Sequence, residues 1–412
     1  MEIEHQSSSS LSQAFVSFQH PNFRLWFSGQ LVSLIGTWMQ STAQGYLIYS
    51  LTGSSAYLGY IALAAGIPTW FFTLYGGVIA DRISRRTLLV ITQSSMMILA
   101  FILSILVFTN TVQPWHILVL AFLLGIATAF DAPTRQSFVR ELVTREHMTN
   151  AIALNSSIFN LGTVVGPAVA GLTYAAIGPA WCFAINGVSF IAVIIALVVM
   201  KIDRQVERIS KTSAMVELKE GISYVLHHKI IRGLILNMAL LSIFGNGVFA
   251  LMPAWAVEIL KGDVRMNGWL LSARGIGALM GTLLIAYIGN RKLRGKLWAW
   301  GNLSLPLFWV IFSFLTHAPS TLIVTVFVGL SFVISVNLTN AMIQTEVTDE
   351  LRGRVMGIYI LVFFGLTPIG SLLAGVIAQR FGEQITVLGS GLIMLVLATF
   401  VAIRMPYLRH VD

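Results

Sequence analysis

The stretch Gly76-Gly77-Val78-Ile79-Ala80-Asp81-Arg82-Ile83-Ser84-Arg85-Arg86 decides the architecture. A hydrophobic run of membrane length stops here at three arginines and one aspartate, as a transmembrane helix does where it reaches water. Gly76 and Gly77 carry no side chains at the end of that run, so another helix can approach it closely. Asp81, Arg82, Arg85 and Arg86 then make a tight polar turn before the next apolar run begins.

Outward from this turn the same alternation fills the chain. Its 412 residues are 56% hydrophobic and 10% charged, and the apolar runs are far longer than a soluble core helix needs. Runs of about 20 residues predict spans near residues 25–51, 57–80, 88–109, 114–134, 148–177 and 181–200. Six more are predicted near 230–259, 269–288, 297–316, 322–344, 356–378 and 385–403. The expected fold class is an all-α membrane protein of twelve transmembrane helices in two six-helix bundles, residues 25–200 and 230–404. Residues 1–24 and 405–412 are read as tails, and the charged segment 201–229 as the linker between halves. Val216, Leu218, Ile222, Val225 and Leu226 allow a short amphipathic helix at the membrane face, with a solvated linker as the alternative.

Charge sets the orientation. With twelve spans, 22 of the 26 lysines and arginines fall on the side that holds both termini, leaving Lys261, Arg265 and Arg380 opposite and Arg274 within a span. Basic loops stay in the cytoplasm during insertion, so both termini are expected there. The net charge of +9 therefore reflects topology, and no nucleic-acid partner is implied. The single cysteine, Cys182, cannot form an internal disulfide, and no cluster has metal-ligand spacing, so neither metal nor cofactor is expected. Residues 1–21 lack a basic segment before a short apolar core, so the first span is read as its own insertion signal.

The halves repeat one another. Val143-Thr144-Arg145-Glu146 recurs as Val347-Thr348-Asp349-Glu350, 204 residues on, and Asp81-Arg82-Ile83-Ser84-Arg85 has a worn counterpart in Asn290-Arg291-Lys292-Leu293-Arg294, 209 residues on. A nearly constant offset at matching loop positions points to internal duplication, the usual origin of transporter folds.

Gly77, Asp81, Arg82, Arg85 and Arg86 resemble the loop between the second and third helices of major facilitator superfamily transporters, with Ser84 where that family usually has glycine. Phe23-Arg24-Leu25-Trp26, Asp131-Ala132-Pro133-Thr134-Arg135 and Leu351-Arg352-Gly353-Arg354-Val355-Met356-Gly357 make the chain most similar to the enterobactin-exporter-like branch. Gly162, Gly166, Pro167 and Gly171 look like the exporters' motif in span five, which the resemblance associates with antiport; generic close packing is the alternative. Gly365, Pro368, Gly370 and Gly375 repeat the idea in span eleven.

Candidate functional residues follow. Ser33, Thr37, Gln40 and Gln44 share one helical face, and a polar face at membrane depth must meet protein or water. Ser242 and Asn246, four apart, are expected to form the opposing wall, the resemblance implying that spans one and seven line the cavity. Hydrogen bonding between helices without a ligand is the plainer reading. Arg274, roughly 12 Å along its helix from Met266 at 1.5 Å per residue, is the strong base inside a span. It points to an anionic group on the substrate, or else to a pair with Glu258 or to snorkelling. Asp131 is expected to pair with Arg82 or Arg85 in a latch closing the inner side; Asp131 and Glu258 are the candidate coupling residues.

These readings imply no enzyme, since no nucleophile, base and orienting acid converge. They imply a monomeric, multi-pass exporter of the bacterial inner membrane, surrounded by lipid and coupled to a proton counter-ion as the resemblance suggests. Its expected cargo is a small amphiphilic or anionic molecule such as a siderophore. Multidrug efflux, lysophospholipid movement and, from another class, a non-transporting sensor are the alternatives.

Overall fold

The computed structural model describes residues 15–80, 83–201, 214–288 and 293–405, except the side chains of 73–80 and 214–218. Asp81, Arg82 and their counterparts 290–292 lie outside the described residues, as does the packing around Gly76 and Gly77. Every regular element described is helical. The first six are α1 (Pro21–Thr52), α2 (Ser55–Ala80), α3 (Arg85–Phe108), α4 (Pro114–Phe138), α5 (Met148–Ile177) and α6 (Pro179–Val199). A shorter helix, α7 (Ala214–His227), precedes α8 (Lys229–Ile259), α9 (Val264–Ile288), α10 (Arg294–Ser313), α11 (Ala318–Glu346), α12 (Asp349–Phe381) and α13 (Glu383–Arg404).

Ten of these are long and apolar enough to cross a membrane. The two other long helices, α1 and α10, fall short by composition; α1 carries the polar Gln30, Ser33, Gln40 and Gln44, all buried. Several helices outrun their apolar segments. α12 starts at Asp349, two turns before the apolar run, because Thr348 is extended (φ −60°, ψ 149°) and Asp349 and Glu350 favour a helix N-terminus. Thr144, its counterpart in the repeat, has the same extended backbone (φ −69°, ψ 161°) ahead of α5.

Ser84 explains its departure from glycine. Its backbone is ordinary (φ −57°, ψ 135°), and its hydroxyl accepts from the Thr87 amide at 3.3 Å, so it caps α3. Arg85 and Arg86 begin the helix, where cations meet the positive end of the dipole. Glu141 offsets this by pairing with Arg85 at 2.9 Å.

The packing map repeats. In the first half α1 packs on α5 and α6, α2 on α4, and α3 on α4 and α6. In the second half α8 packs on α12 and α13, α9 on α11, and α10 on α11 and α13, the same pairings moved along the chain. The halves meet where α2 packs on α12 and α5 on α9, and exchanging the halves converts either seam into the other. α7 belongs to the second half: Glu220 pairs with Arg354 of α12, and Val225 is buried.

One helix is irregular. α8 is α-helical to Leu240, π-helical over Leu241–Asn246, 3-10 over Gly247–Leu251, and π-helical again over Trp255–Ile259. Gly245, Gly247 and Pro253 weaken the regular ladder here, and such bulges cluster at functional positions.

Candidate functional site: a lone guanidinium beside a closed seam

The two seams are built backbone against backbone. A side chain at Gly275 would sit 2.6 Å from the Thr163 carbonyl, and one at Gly375 would sit 2.6 Å from the Ser55 carbonyl. Ser272 donates across the α5–α9 seam to the Val164 carbonyl at 2.7 Å, and Trp70 across the α2–α12 seam to the Gly365 carbonyl at 3.0 Å. The exporter-type glycines divide their work: Gly162 and Gly166 receive α1, whereas Gly171 and Pro167 receive α9.

At one end, where α1 turns into α2, polar contacts add a seal. Tyr49 donates to Glu258 at 2.9 Å, Ser54 to Gln379 at 2.7 Å, and Ser55 to Glu383 at 2.6 Å. All three join the first half to the second. Together with the two seam bonds, these hydrogen bonds join the halves at this end and near mid-span.

Arg274 lies within α9, below this seal. Its Nη2 donates to Asn246 Oδ1 of α8 at 2.8 Å, and Asn246 Nδ2 donates to Thr367 of α12 at 3.2 Å. The guanidinium carbon is 3.7 Å from the centroid of the Phe249 ring and 5.6 Å from that of Phe332. The Arg274 main chain packs against Gly329 of α11, which seats this turn of α9 against α11. Among the described residues no carboxylate lies within ion-pair distance of Arg274. Glu258, the partner considered from sequence, is held by Tyr49. A cation–π contact contributes up to about 2 kcal/mol when desolvated, less than the roughly 2.5–3.5 kcal/mol cost of placing arginine at mid-span.

The other candidates divide. Asn246 and Arg274 are brought together as one polar unit. Ser242 is fully buried and donates to the Met238 carbonyl at 2.8 Å, so it lies off the face that Asn246 presents. The π-helical stretch changes the register between them, and four residues no longer make one face. On α1, Gln40 accepts from Asn186 of α6 at 2.7 Å, the hydrogen bond between helices that the plainer reading foresaw. Ser33 and Gln44 are buried and Thr37 is exposed.

Asp131 is 3% exposed and accepts from Thr92 at 2.9 Å and Gln93 at 2.8 Å, with Arg135 at 3.9 Å. These partners tie α3 to α4 within one half. The latch partner Arg82 lies outside the described residues, and Arg85 pairs with Glu141.

Phe249, Phe332 and Thr367 escape the sequence reading because they surround Arg274 only after α8, α11 and α12 have packed. Tyr49 and Glu383 carried a fainter signal, as polar residues at span ends near the expected outer loops.

Repeated halves sealed against each other at one end, with a polar unit at span depth, define a membrane transporter. The chain belongs to the transmembrane secretion effector family of major facilitator superfamily transporters, whose profile matches residues 12–412. It is 27% identical to the multidrug efflux pump Tap of Mycolicibacterium fortuitum, over 89% of this chain and 91% of that one. It is 26% identical to the staphyloferrin A transporter of Staphylococcus aureus, over 87% and 90%. Among solved structures, a point mutant of the nucleoside transporter NupG superposes with a TM-score of 0.76 at 14% identity, covering 93% of this chain and 99% of that one; this likeness concerns the fold.

Proposed function

We propose that the protein exports a small amphiphilic or anionic compound, with a siderophore as the leading cargo, by alternating access between two pseudo-symmetric bundles of six membrane-spanning helices. α1 and α10 serve as the remaining two spans, the polar groups of α1 being turned inward. The excess of basic residues on the terminal side supports cytoplasmic termini in a bacterial inner membrane. The Tyr49–Glu258 end is then the outer mouth, held shut by this contact.

In this cycle the cargo enters from the cytoplasm and its anionic group meets Arg274. The halves rock about the two seams, the three outer contacts separate, and the loop carrying Asp81, Arg82, Arg85 and Arg86 closes the inner mouth. Thr37 and Gln44 on α1 complete the cavity wall. Proton antiport is the coupling implied by the family. Asp131, a buried carboxylate inside a span, fits that role better than Glu258, which is exposed at the outer end and acts as part of the seal. The unit is a monomer surrounded by lipid.

The observation that carries this reading is Arg274, a mid-span cation without a carboxylate partner among the described residues. The staphyloferrin A transporter, named for a siderophore, supports the cargo. Comparing secreted metabolites from cells with and without the protein, at low and high iron, tests it: an iron chelator missing from the medium of deleted cells is expected, and an unchanged profile rejects the siderophore. Multidrug efflux is the second reading, favoured by the Phe249 and Phe332 rings and by the relative Tap; altered dye accumulation would select it.

A further inference from the structure

We propose that Arg274 selects for a carboxylate, one carboxyl group per site, and that the same guanidinium turns cationic compounds away. This rests on the export reading and names the chemistry of its cargo. A guanidinium has five N–H donors, and one bond to another residue, from Nη2 to Asn246, is described for Arg274. Whichever Nη2 hydrogen Asn246 takes, a parallel pair of N–H donors remains, and a parallel pair fits an acceptor with two coplanar oxygens.

The surroundings narrow the choice further. Phe249 covers one face of the guanidinium at 3.7 Å, so a flat cargo ring cannot stack there and approach is directed to the donor-bearing edge. Asn246 is itself held by Thr367, which keeps the edge in place before cargo arrives. The side chain is only partly exposed and lies at span depth, where net charge is costly. One guanidinium cancels one carboxylate, whereas a phosphate monoester carries close to two negative charges and would leave an excess. A cationic compound would add a second positive charge with nothing among the described residues to balance it.

The test uses the purified full-length protein in lipid nanodiscs and three probes on one skeleton: 4-phenylbutyrate, 4-phenylbutanamide and 4-phenylbutylamine. Isothermal titration is expected to give at least tenfold tighter binding of the acid than of the amide, and no binding of the amine. Arg274→Gln should level acid and amide, and Arg274→Lys should keep part of the preference, since it keeps the charge without the fork. A thermal melt of each variant reports whether the fold survives. Equal binding of acid and amide, or an acid preference that survives in Arg274→Gln, overturns the proposal. If the acid preference is found but the secreted iron-chelator profile is unchanged in cells, the siderophore cargo fails and this proposal stands. If secretion changes and the preference is absent, this one fails alone.

Discussion

Asp131 in the first half and Arg274 in the second are both charges carried within long apolar helices, and they are treated in opposite ways. Asp131 accepts from Thr92 and Gln93 and faces Arg135, so its charge is met within its own half. Arg274 has a neutral amide and an aromatic face, and no described acid. Placing either charge in a membrane costs about 2.5–3.5 kcal/mol on insertion scales. The first half offsets that cost itself. On the proposed reading the second leaves part of it to be offset by cargo, so one charge is met within its own half and the other is left for a ligand.

Variants can break this contrast. Arg274→Gln should lower transport of an acidic cargo by about one to two orders of magnitude, since charged hydrogen bonds contribute roughly 1.5–3 kcal/mol, and should leave the melting temperature nearly unmoved. A vesicle transport assay beside a thermal melt reads both. Asp131→Ala should instead destabilise the fold by about 2–3 kcal/mol through buried groups left unpaired and uncouple transport, with cargo binding retained. If it instead abolished binding and left the melt unchanged, the contrast would be wrong.

Smaller effects sharpen it. Asn246→Ala removes one charged hydrogen bond and the support of the guanidinium, so affinity should drop about tenfold, or about 1.4 kcal/mol; titration checks this, and Ser242→Ala should have far less effect. Tyr49→Phe removes one exposed-end contact of about 0.5–1.5 kcal/mol. It should raise the outward-open population several-fold, read as faster labelling of a cysteine placed below the seal. An unchanged labelling rate would assign the seal to backbone packing alone.

Much of the fold was legible because the bilayer imposes a length on every apolar run, and the basic residues mark alternate ends. Helix ends were less so, since Asp349–Arg354 extends α12 past its apolar run. The pocket was half legible. Arg274 and Asn246 stand out as polar groups where lipid forbids them, yet Ser242 was aligned with Asn246 by assuming a regular helix. The π-helical step at Leu241–Asn246 breaks that assumption, and no spacing rule announces it. Phe332 and Thr367 belong to helices remote in sequence, and periodicity within one span carries no information about them.

The glycine-lined seams have a mechanical consequence. Where Gly275 meets Thr163 and Gly375 meets Ser55, main chains touch without interlocking side chains, as in a hinge with smooth faces. If the halves rock as proposed, two such joints related by the repeat favour rotation about the line through both. Spin labels placed in pairs at increasing distance from that line should therefore report displacements that grow in proportion, making the molecule a graded ruler of its own swing.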